Sequence, residues 1–245
     1  MERIKMVVFD LAGTTVQDDA AVSGSLYEAA VEFGLKTTHE EILKSIGTNK
    51  IHLYQYLIAK NKGRNISIKD FESEKDPSTY AEALKVFNRY TEIMIEYYRT
   101  DLKPMLGAED TFQWCHENNI CVATDTGFHG DVNRAIMEGL GWLNRKLVDI
   151  AVCVEDIPNN IGRPAPFMIF HAMQALNVQS VKSVIKVGDM PADMLEGYNA
   201  GCAGIIGVGS GPLPNEEWGK YLHTHFIPSV KELPEVIERD FLIER

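Results

Sequence analysis

Short apolar runs recur four times along this chain, and no other feature narrows its fold as far. Met6-Val7-Val8-Phe9, Ile120-Cys121-Val122-Ala123, Val184-Ile185-Lys186-Val187 and Gly204-Ile205-Ile206-Gly207-Val208 are each bounded by Gly, Asp or Thr, with helix-like stretches between them. A strand exposed on one face alternates apolar and polar side chains, whereas a strand covered on both faces reads as a continuous apolar run. Strands of the second kind alternating with helices predict an α/β fold, a doubly wound parallel sheet with helices on both faces. In such sheets ligands sit beyond the carboxyl ends of the strands. Asp10, Asp125-Thr126 and Gly188-Asp189 all fall at those ends.

Between residues 17 and 103 the strand signal vanishes and the chain reads as consecutive helices. The sequence therefore predicts a Rossmann-like core from residues 1–16 and 104–245, with a helical cap domain inserted at 17–103. Thr38-His39-Glu40-Glu41 has capping-box spacing, in which Thr38 accepts from the Glu41 amide while Glu41 reaches back, and Gly47 is placed to end that helix. Asp76-Pro77 supplies an N-cap and a first-turn proline for a long helix whose Tyr80, Leu84, Phe87, Ile93, Met94 and Tyr98 share a face. That stripe reads as core, and it would also suit a homodimer formed through the cap. The polar stretch between Asn61 and Pro77 reads as a loop, and Pro104 marks the return to the core because proline disfavours helix at Lys103.

The formal net charge is -11, from 35 acidic against 24 basic residues, with no basic cluster. Nucleic acid and anionic membranes are therefore poor partners, whereas one or two placed cations still suffice to hold a small anionic substrate. Cys115, Cys121, Cys153 and Cys202 form no C-x-x-C pair, and no apolar stretch has signal-peptide form or membrane-spanning length. The expectation is a cytoplasmic protein with free, buried thiols.

Asp10 opens the segment Asp10-Leu11-Ala12-Gly13-Thr14-Thr15-Val16 directly after an apolar run, where its oxygens would project into a cleft and Gly13 would let main-chain amides face an anion. Gly188-Asp189-Met190-Pro191-Ala192-Asp193 sets two carboxylates four apart after another such run. Two close anions call for a shared proton or cation, and an all-oxygen site at a phosphoryl centre suits Mg²⁺. Asp189 as a helix cap ahead of Pro191 is the plainer reading of the same residues. Thr126-Gly127 and Gly162-Arg163-Pro164-Ala165-Pro166 would add a hydroxyl and a guanidinium, which a bound phosphoryl group needs for hydrogen bonding and charge compensation. His223-Thr224-His225 beside Phe226-Ile227 reads as a late strand more readily than as half a metal site. The glycine-rich stretch from 207 to 212 lacks the helix of a dinucleotide fingerprint and reads as a loop near the cleft.

These segments, in this order, resemble the four motifs of the haloacid dehalogenase superfamily. Asp10-Leu11-Ala12-Gly13-Thr14-Thr15, Thr126-Gly127-Phe128 and Gly162-Arg163-Pro164-Ala165-Pro166 look more narrowly like its phosphonatase-like branch, which includes phosphonoacetaldehyde hydrolases. The resemblance implies that Asp10 is the nucleophile and that Mg²⁺ sits on Asp10, the Ala12 carbonyl and Asp189, supported by Asp193. It implies that Thr126, Gly127 and Arg163 bind a small organophosphorus substrate, whose phosphoryl group passes to Asp10 as an aspartyl-phosphate. Ala12 departs from the superfamily's phosphatases, which carry a second Asp there as general acid. The branch replaces that acid with a cap lysine that forms an imine, and Lys50 in Gly47-Thr48-Asn49-Lys50 matches that lysine's Gly-x-x-Lys pattern. Thr48 or Asn49 reads as an N-cap, so Lys50 would sit in a first helical turn where the dipole disfavours a cation and favours the neutral amine. Gly47 would allow close substrate approach. Ile46, Leu53 and Phe128 stand where phosphonoacetaldehyde-cleaving members have Met, His and Tyr, so the resemblance carries phosphoryl chemistry further than it carries that substrate.

Cleavage of a phosphorus-carbon or phosphate-ester bond is the leading expectation. A plain phosphatase without imine chemistry, and a non-catalytic sensor of phospho-ligands, remain open from the residues alone.

Overall fold

The computed structural model describes residues 2–18, 20–46, 48–68 and 77–243. The chain divides into two compact units, Met1–Asp18 with Asp101–Arg245, and Asp19–Thr100.

In the first unit the described residues form a six-stranded sheet of β1 (Met6–Phe9), β2 (Cys121–Thr126), β3 (Ile150–Cys153), β4 (Val184–Gly188), β5 (Gly204–Val208) and β6 (His225–Ile227). Their order is β3-β2-β1-β4-β5-β6 and every neighbouring pair is parallel. The connecting helices, numbered after the four of the second unit, are α5 (Ala108–Glu117), α6 (Gly130–Leu140), α7 (Phe167–Ala175), α8 (Pro191–Ala200) and α9 (Leu233–Asp240). The sheet is covered on both faces. Met6 and Val8 pack with Met168, Ile169 and Met194 from α7 and α8. Phe9 instead meets the Phe112 ring edge-on at 5.1 Å, and Phe112 meets Trp142 at 5.0 Å. Each large side chain so buried contributes about 1.5–3 kcal/mol, which is why these runs show no alternation.

From β1 the chain lays β2 and β3 to one side, then crosses back to lay β4, β5 and β6 on the other. The reversal opens a crevice at the carboxyl ends of β1 and β4. Asp10 and Asp189 are the first residues after those strands, and the ladder continues one residue past β1 through the hydrogen bond from Asp10 N to Val187 O at 2.9 Å.

One strand went unread in the sequence: β3 is a four-residue run close behind Leu147-Val148, too short to carry a periodic signal. The late strand expected beside Phe226-Ile227 is β6, a three-residue edge. The 162–166 loop follows β3 and precedes β4. β2 also runs on to Thr126, because Thr124, Asp125 and Thr126 are buried despite their polarity.

The second unit comprises α1 (Ala21–Glu32), α2 (His39–Lys44), α3 (Lys50–Asn61) and α4 (Pro77–Thr100), with no strand among its described residues. Thr38 caps α2 by accepting from Glu41 N at 3.2 Å. Glu41 does not complete the box, since its carboxylate accepts from Thr37, Tyr56 and Lys60 at 3.0, 2.8 and 2.6 Å. On α4 the buried face is Thr79, Ala83, Val86, Tyr90, Thr91, Met94 and Tyr98, so Tyr80 turns outward and Leu84, Phe87 and Ile93 are half-buried. Both α1 and α3 lie on α4, and small residues such as Ala83 let helices approach where the larger apolar ones would not. Gly47 and Asp76 lie outside the described residues. No helix among those described is long and apolar enough to cross a membrane.

Candidate active site

After β1 the chain folds into a tight loop in which the amides of Thr14, Thr15 and Val16 all donate to Leu11 O, at 3.2, 2.8 and 2.8 Å. Gly13 takes the left-handed conformation at φ 82, and a Cβ there would stand 2.5 Å from Asp189 Oδ2. Glycine is required on both counts. The Thr15 hydroxyl donates to Asp10 O at 2.7 Å, fixing the main chain behind the Asp10 carboxylate. Ala12 sits in this loop and bridges Val16.

Opposite it, α8 begins at Pro191 with Met190 as its N-cap, and the Asp193 carboxylate accepts from Met190 N at 3.2 Å. The helix therefore does not use Asp189 as its cap. Thr14 donates to Asp189 Oδ1 at 3.3 Å. A Cβ on Gly211 would collide with the Asp189 carboxylate, and the Gly211 loop is tied to Gly13 O by Ser210 Oγ at 2.7 Å. The glycine-rich stretch that follows β5 is thus a wall of the site.

Asp10, Asp189 and Asp193 are buried together, with one oxygen from each lying within 4.8 Å of the others. Arg163 is held against them. Its Nη1 donates to Asp10 Oδ1 at 2.7 Å and stands 2.8 Å from Asp193 Oδ1, its Nη2 donates to Asp125 O at 2.7 Å and to the Asp125 carboxylate, and its Nε donates to Glu196 Oε2 at 3.1 Å. All three nitrogens are engaged by the protein. Lys186, fully buried in the middle of β4, pairs with Asp125 and lies 3.2 Å from both Asp193 Oδ1 and Glu196 Oε2. A Cβ on Gly197 would press on the Lys186 stem at 2.9 Å, so that glycine gives the lysine room beneath α8.

Five buried carboxylates thus face two cations, and the titration behaviour follows. Burial pushes the Asp189 carboxyl well above the ordinary range, and the charges of Asp10 and Asp193 push it further. Asp193 is lifted by burial to about 6 against the pull of Arg163, and Glu196 by burial and then Asp125 to about 8. Burial would raise Asp125 too, but Arg163 and Lys186 outweigh it and hold that carboxyl below its ordinary value. Burial and Arg163 oppose the Lys186 ammonium, yet its three carboxylates raise it above an ordinary lysine.

Two carboxylate triads are close enough to share a cation, Asp10-Asp189-Asp193 and Asp125-Asp193-Glu196. The second already has Lys186 and Arg163 among its oxygens. In the first, no lysine or arginine among the described residues pairs with Asp189. An anion without a counter-charge in a hard, all-oxygen donor set fits Mg²⁺.

The other residues singled out in the sequence are placed as follows. Thr126 ends β2, on the strand beside β1, and its Oγ1 accepts from Phe128 N at 3.1 Å. Gly127 is exposed with open space around it, so packing does not demand glycine there. In the helical unit Lys50 is half-buried as the first residue of α3, whose N-cap Asn49 accepts from Ile51 N and His52 N at 2.9 and 3.2 Å. Leu53 and Phe128 are buried and Ile46 is half-buried. His223 and His225 go separate ways, to Tyr221 O at 2.8 Å and Asp240 at 3.2 Å. Sequence reasoning missed the network behind the site: Lys186, Glu196, Thr14 and Ser210. A lone lysine inside an otherwise apolar run was the available signal, since a buried ammonium requires carboxylate partners.

A family model for haloacid dehalogenase-like hydrolases matches residues 7–206. A phosphonoacetaldehyde hydrolase of Latilactobacillus sakei is 30% identical over 207 residues, which cover 82% of this chain and 74% of that protein. One from Parabacteroides distasonis is 26% identical over 98% of this chain and 97% of its own length. The crystal structure of a phosphonoacetaldehyde hydrolase-like protein from Oleispira antarctica superimposes with a TM-score of 0.74 at 19% identity, covering 97% of this chain and 92% of that one.

Proposed function

The chain belongs to the haloacid dehalogenase-like hydrolase family, within its phosphonatase-like branch, and we propose that it is a Mg²⁺-dependent hydrolase in which the Asp10 carboxylate attacks the phosphorus of a small organophosphorus compound. The observation that carries this reading is the meeting of three buried carboxylates with a guanidinium held against Asp10.

Arg163 pins Asp10 Oδ1 and fixes the plane of the carboxylate, while the Thr15 hydroxyl holds its main chain. Preset orientation of this kind removes the entropy of alignment from the barrier. Mg²⁺ held by Asp10, Asp189 and the Ala12 carbonyl, with Asp193 in support, would offset the charge that otherwise keeps a carboxylate and a phosphoryl group apart. Thr126 hydrogen-bonds a phosphoryl oxygen, and Gly127 leaves space beside it. The phosphorus-oxygen bond to Asp10 forms as the bond to the leaving group breaks, and water then cleaves the aspartyl-phosphate to return the carboxylate and inorganic phosphate.

With Ala12 in place of a general acid, the leaving group needs other help. The Lys50 amine condenses with a substrate aldehyde and expels water, so that the electron pair of the breaking phosphorus-carbon bond flows into the iminium and leaves an enamine. Protonation and hydrolysis return the amine and the carbonyl product. A plain phosphatase, with Lys50 acting only as a charge, is favoured by one observation: Leu53 and Phe128, which stand where phosphonoacetaldehyde-cleaving members have His and Tyr, are both buried.

The test is Mg²⁺-dependent phosphate release from phosphonoacetaldehyde, other phosphonates and phosphate esters by the wild type, Asp10→Asn and Lys50→Ala. Asp10→Asn is expected to abolish turnover with the fold intact, and turnover at the wild-type rate would remove the reading. Borohydride trapping of an adduct on Lys50 with aldehyde phosphonates supports imine chemistry, and ester cleavage that survives Lys50→Ala without any adduct supports the phosphatase.

A further inference from the structure

Glu196 is fully buried on α8, three positions beyond Asp193 and so on the same face of the helix. Stability gives little reason for a carboxyl there. The rest of that buried face is Met194, Gly197 and Ala200, and apolar replacements of buried ionic groups are often neutral or stabilising.

Its surroundings give another reason. The guanidinium of Arg163 is a planar fork whose nitrogens must be aimed. Asp125 holds Nη2 at one corner, through both its carbonyl and its carboxylate. One corner leaves the plane able to swing. Glu196 Oε2 takes Nε at 3.1 Å on the opposite edge, and Lys186 secures that same oxygen from the other side at 3.2 Å. With two edges fixed, Nη1 points at Asp10 Oδ1, 2.7 Å away, and stands 2.8 Å from Asp193 Oδ1.

We infer that Glu196 is a positioning residue for the reaction: by fixing Nε of Arg163 it aims Nη1 at Asp10. The inference rests on the assignment of Asp10 and Arg163 above. Among the described residues Glu196 makes no hydrogen bond or ion pair with Asp10 or Asp189; its ion-pair partners are Arg163 and Lys186, so it acts on Asp10 through the arginine.

Two readouts test it: turnover of whichever substrate the phosphate-release screen identifies, and the dissociation constant of beryllofluoride, a phosphoryl mimic, measured by fluorine NMR with Mg²⁺. Glu196→Gln keeps an oxygen at the same reach, whereas Glu196→Asp keeps the carboxyl but withdraws it by one methylene. Reach, not charge, is what positioning requires. Glu196→Gln is therefore expected within about threefold of wild type, and Glu196→Asp weaker by about ten- to a hundredfold in beryllofluoride binding and kcat with KM little changed. In an Arg163→Met background Glu196→Asp should cost less than about threefold more, because the group it acts through is gone. Additive losses in that double variant, or Gln falling as far as Asp, overturn the inference. Because both substitutions differ from wild type by a single atom or methylene, thermal melts confirm that folded protein is compared. Absence of Asp10-dependent beryllofluoride binding in the wild type would remove the functional reading and this inference with it, whereas binding with additive losses removes this inference alone.

Discussion

Lys186→Met is the most demanding test of the charge network. The substitution keeps the length of the side chain inside β4 and removes its ammonium, which lies 3.2 Å from Asp193 and Glu196 and closer still to Asp125. Three buried carboxyls are then opposed by Arg163 alone. Breaking a buried ion pair from one side costs about 3–5 kcal/mol, because the partner charge stays desolvated. At a urea dependence of about 3 kcal/mol per molar, the midpoint should fall by about 1–1.7 M. All three tryptophans, Trp114, Trp142 and Trp218, lie in the sheet-bearing unit, so their fluorescence follows that unit and not the helical one. The pH dependence carries a sign. Without the ammonium, the carboxyls of Asp193 and Glu196 rise further above their unfolded values of about 4 and that of Asp125 rises from below its own, so the folded variant binds more protons than the folded wild type. Stability then falls as pH rises through those raised values, and the loss relative to wild type should be greater near pH 8 than near pH 5.5. A loss below about 1 kcal/mol near pH 8, or one that grows on acidification, would refute the view that Lys186 is the counter-ion of this cluster.

Gly211→Ala should displace the Asp189 carboxylate, with which its methyl would collide, and weaken Mg²⁺ binding about tenfold or more by calorimetry while costing about 1–3 kcal/mol in urea unfolding. Mg²⁺ binding should itself tighten with rising pH, because the Asp189 carboxyl is raised by burial and by its anionic neighbours and must lose its proton to serve as a ligand. Titrations in buffers of different ionisation enthalpy should show proton release, and binding without it would contradict the assignment. Asn49→Ala should cost the helical unit about 1 kcal/mol and speed amide exchange at Ile51 and His52, the two amides that Asn49 caps.

Much of the fold was readable because burial on both faces leaves a plain trace. β1 and β5 have the bounds of their apolar runs, Met6–Phe9 and Gly204–Val208. β3 escaped because four residues leave no period to detect, and the three-residue β6 was read only from its apolar Phe226-Ile227 pair. On α4 the largest apolar residues drew attention, yet the buried line runs through Thr79, Ala83 and Thr91, since packing between two other helices selects for fit as well as hydrophobicity. At the site, the strand-end positions of Asp10 and Asp189 already brought those two carboxylates to one crevice. The network of Asp125, Lys186 and Glu196 could not be read the same way, because whether a charge is buried depends on neighbours from three separate strands and helices. Only Lys186, alone among valines and an isoleucine, hinted at it.

The sheet order also has a consequence in time. β1 lies between β2 and β4, both of which come far later in the chain. Arg163 follows Asp10 by 153 positions and Asp189 follows Thr14 by 175. At about 5–20 residues per second, a ribosome needs about 10–35 s to bridge the second of these intervals. Until position 163 is made Asp10 lacks its arginine, and throughout the whole interval it lacks the carboxylates of Asp189 and Asp193. The carboxylate cluster is therefore among the last things the chain can assemble, and a nascent fragment that stops short of β4 holds Asp10 without the partners that surround it in the fold.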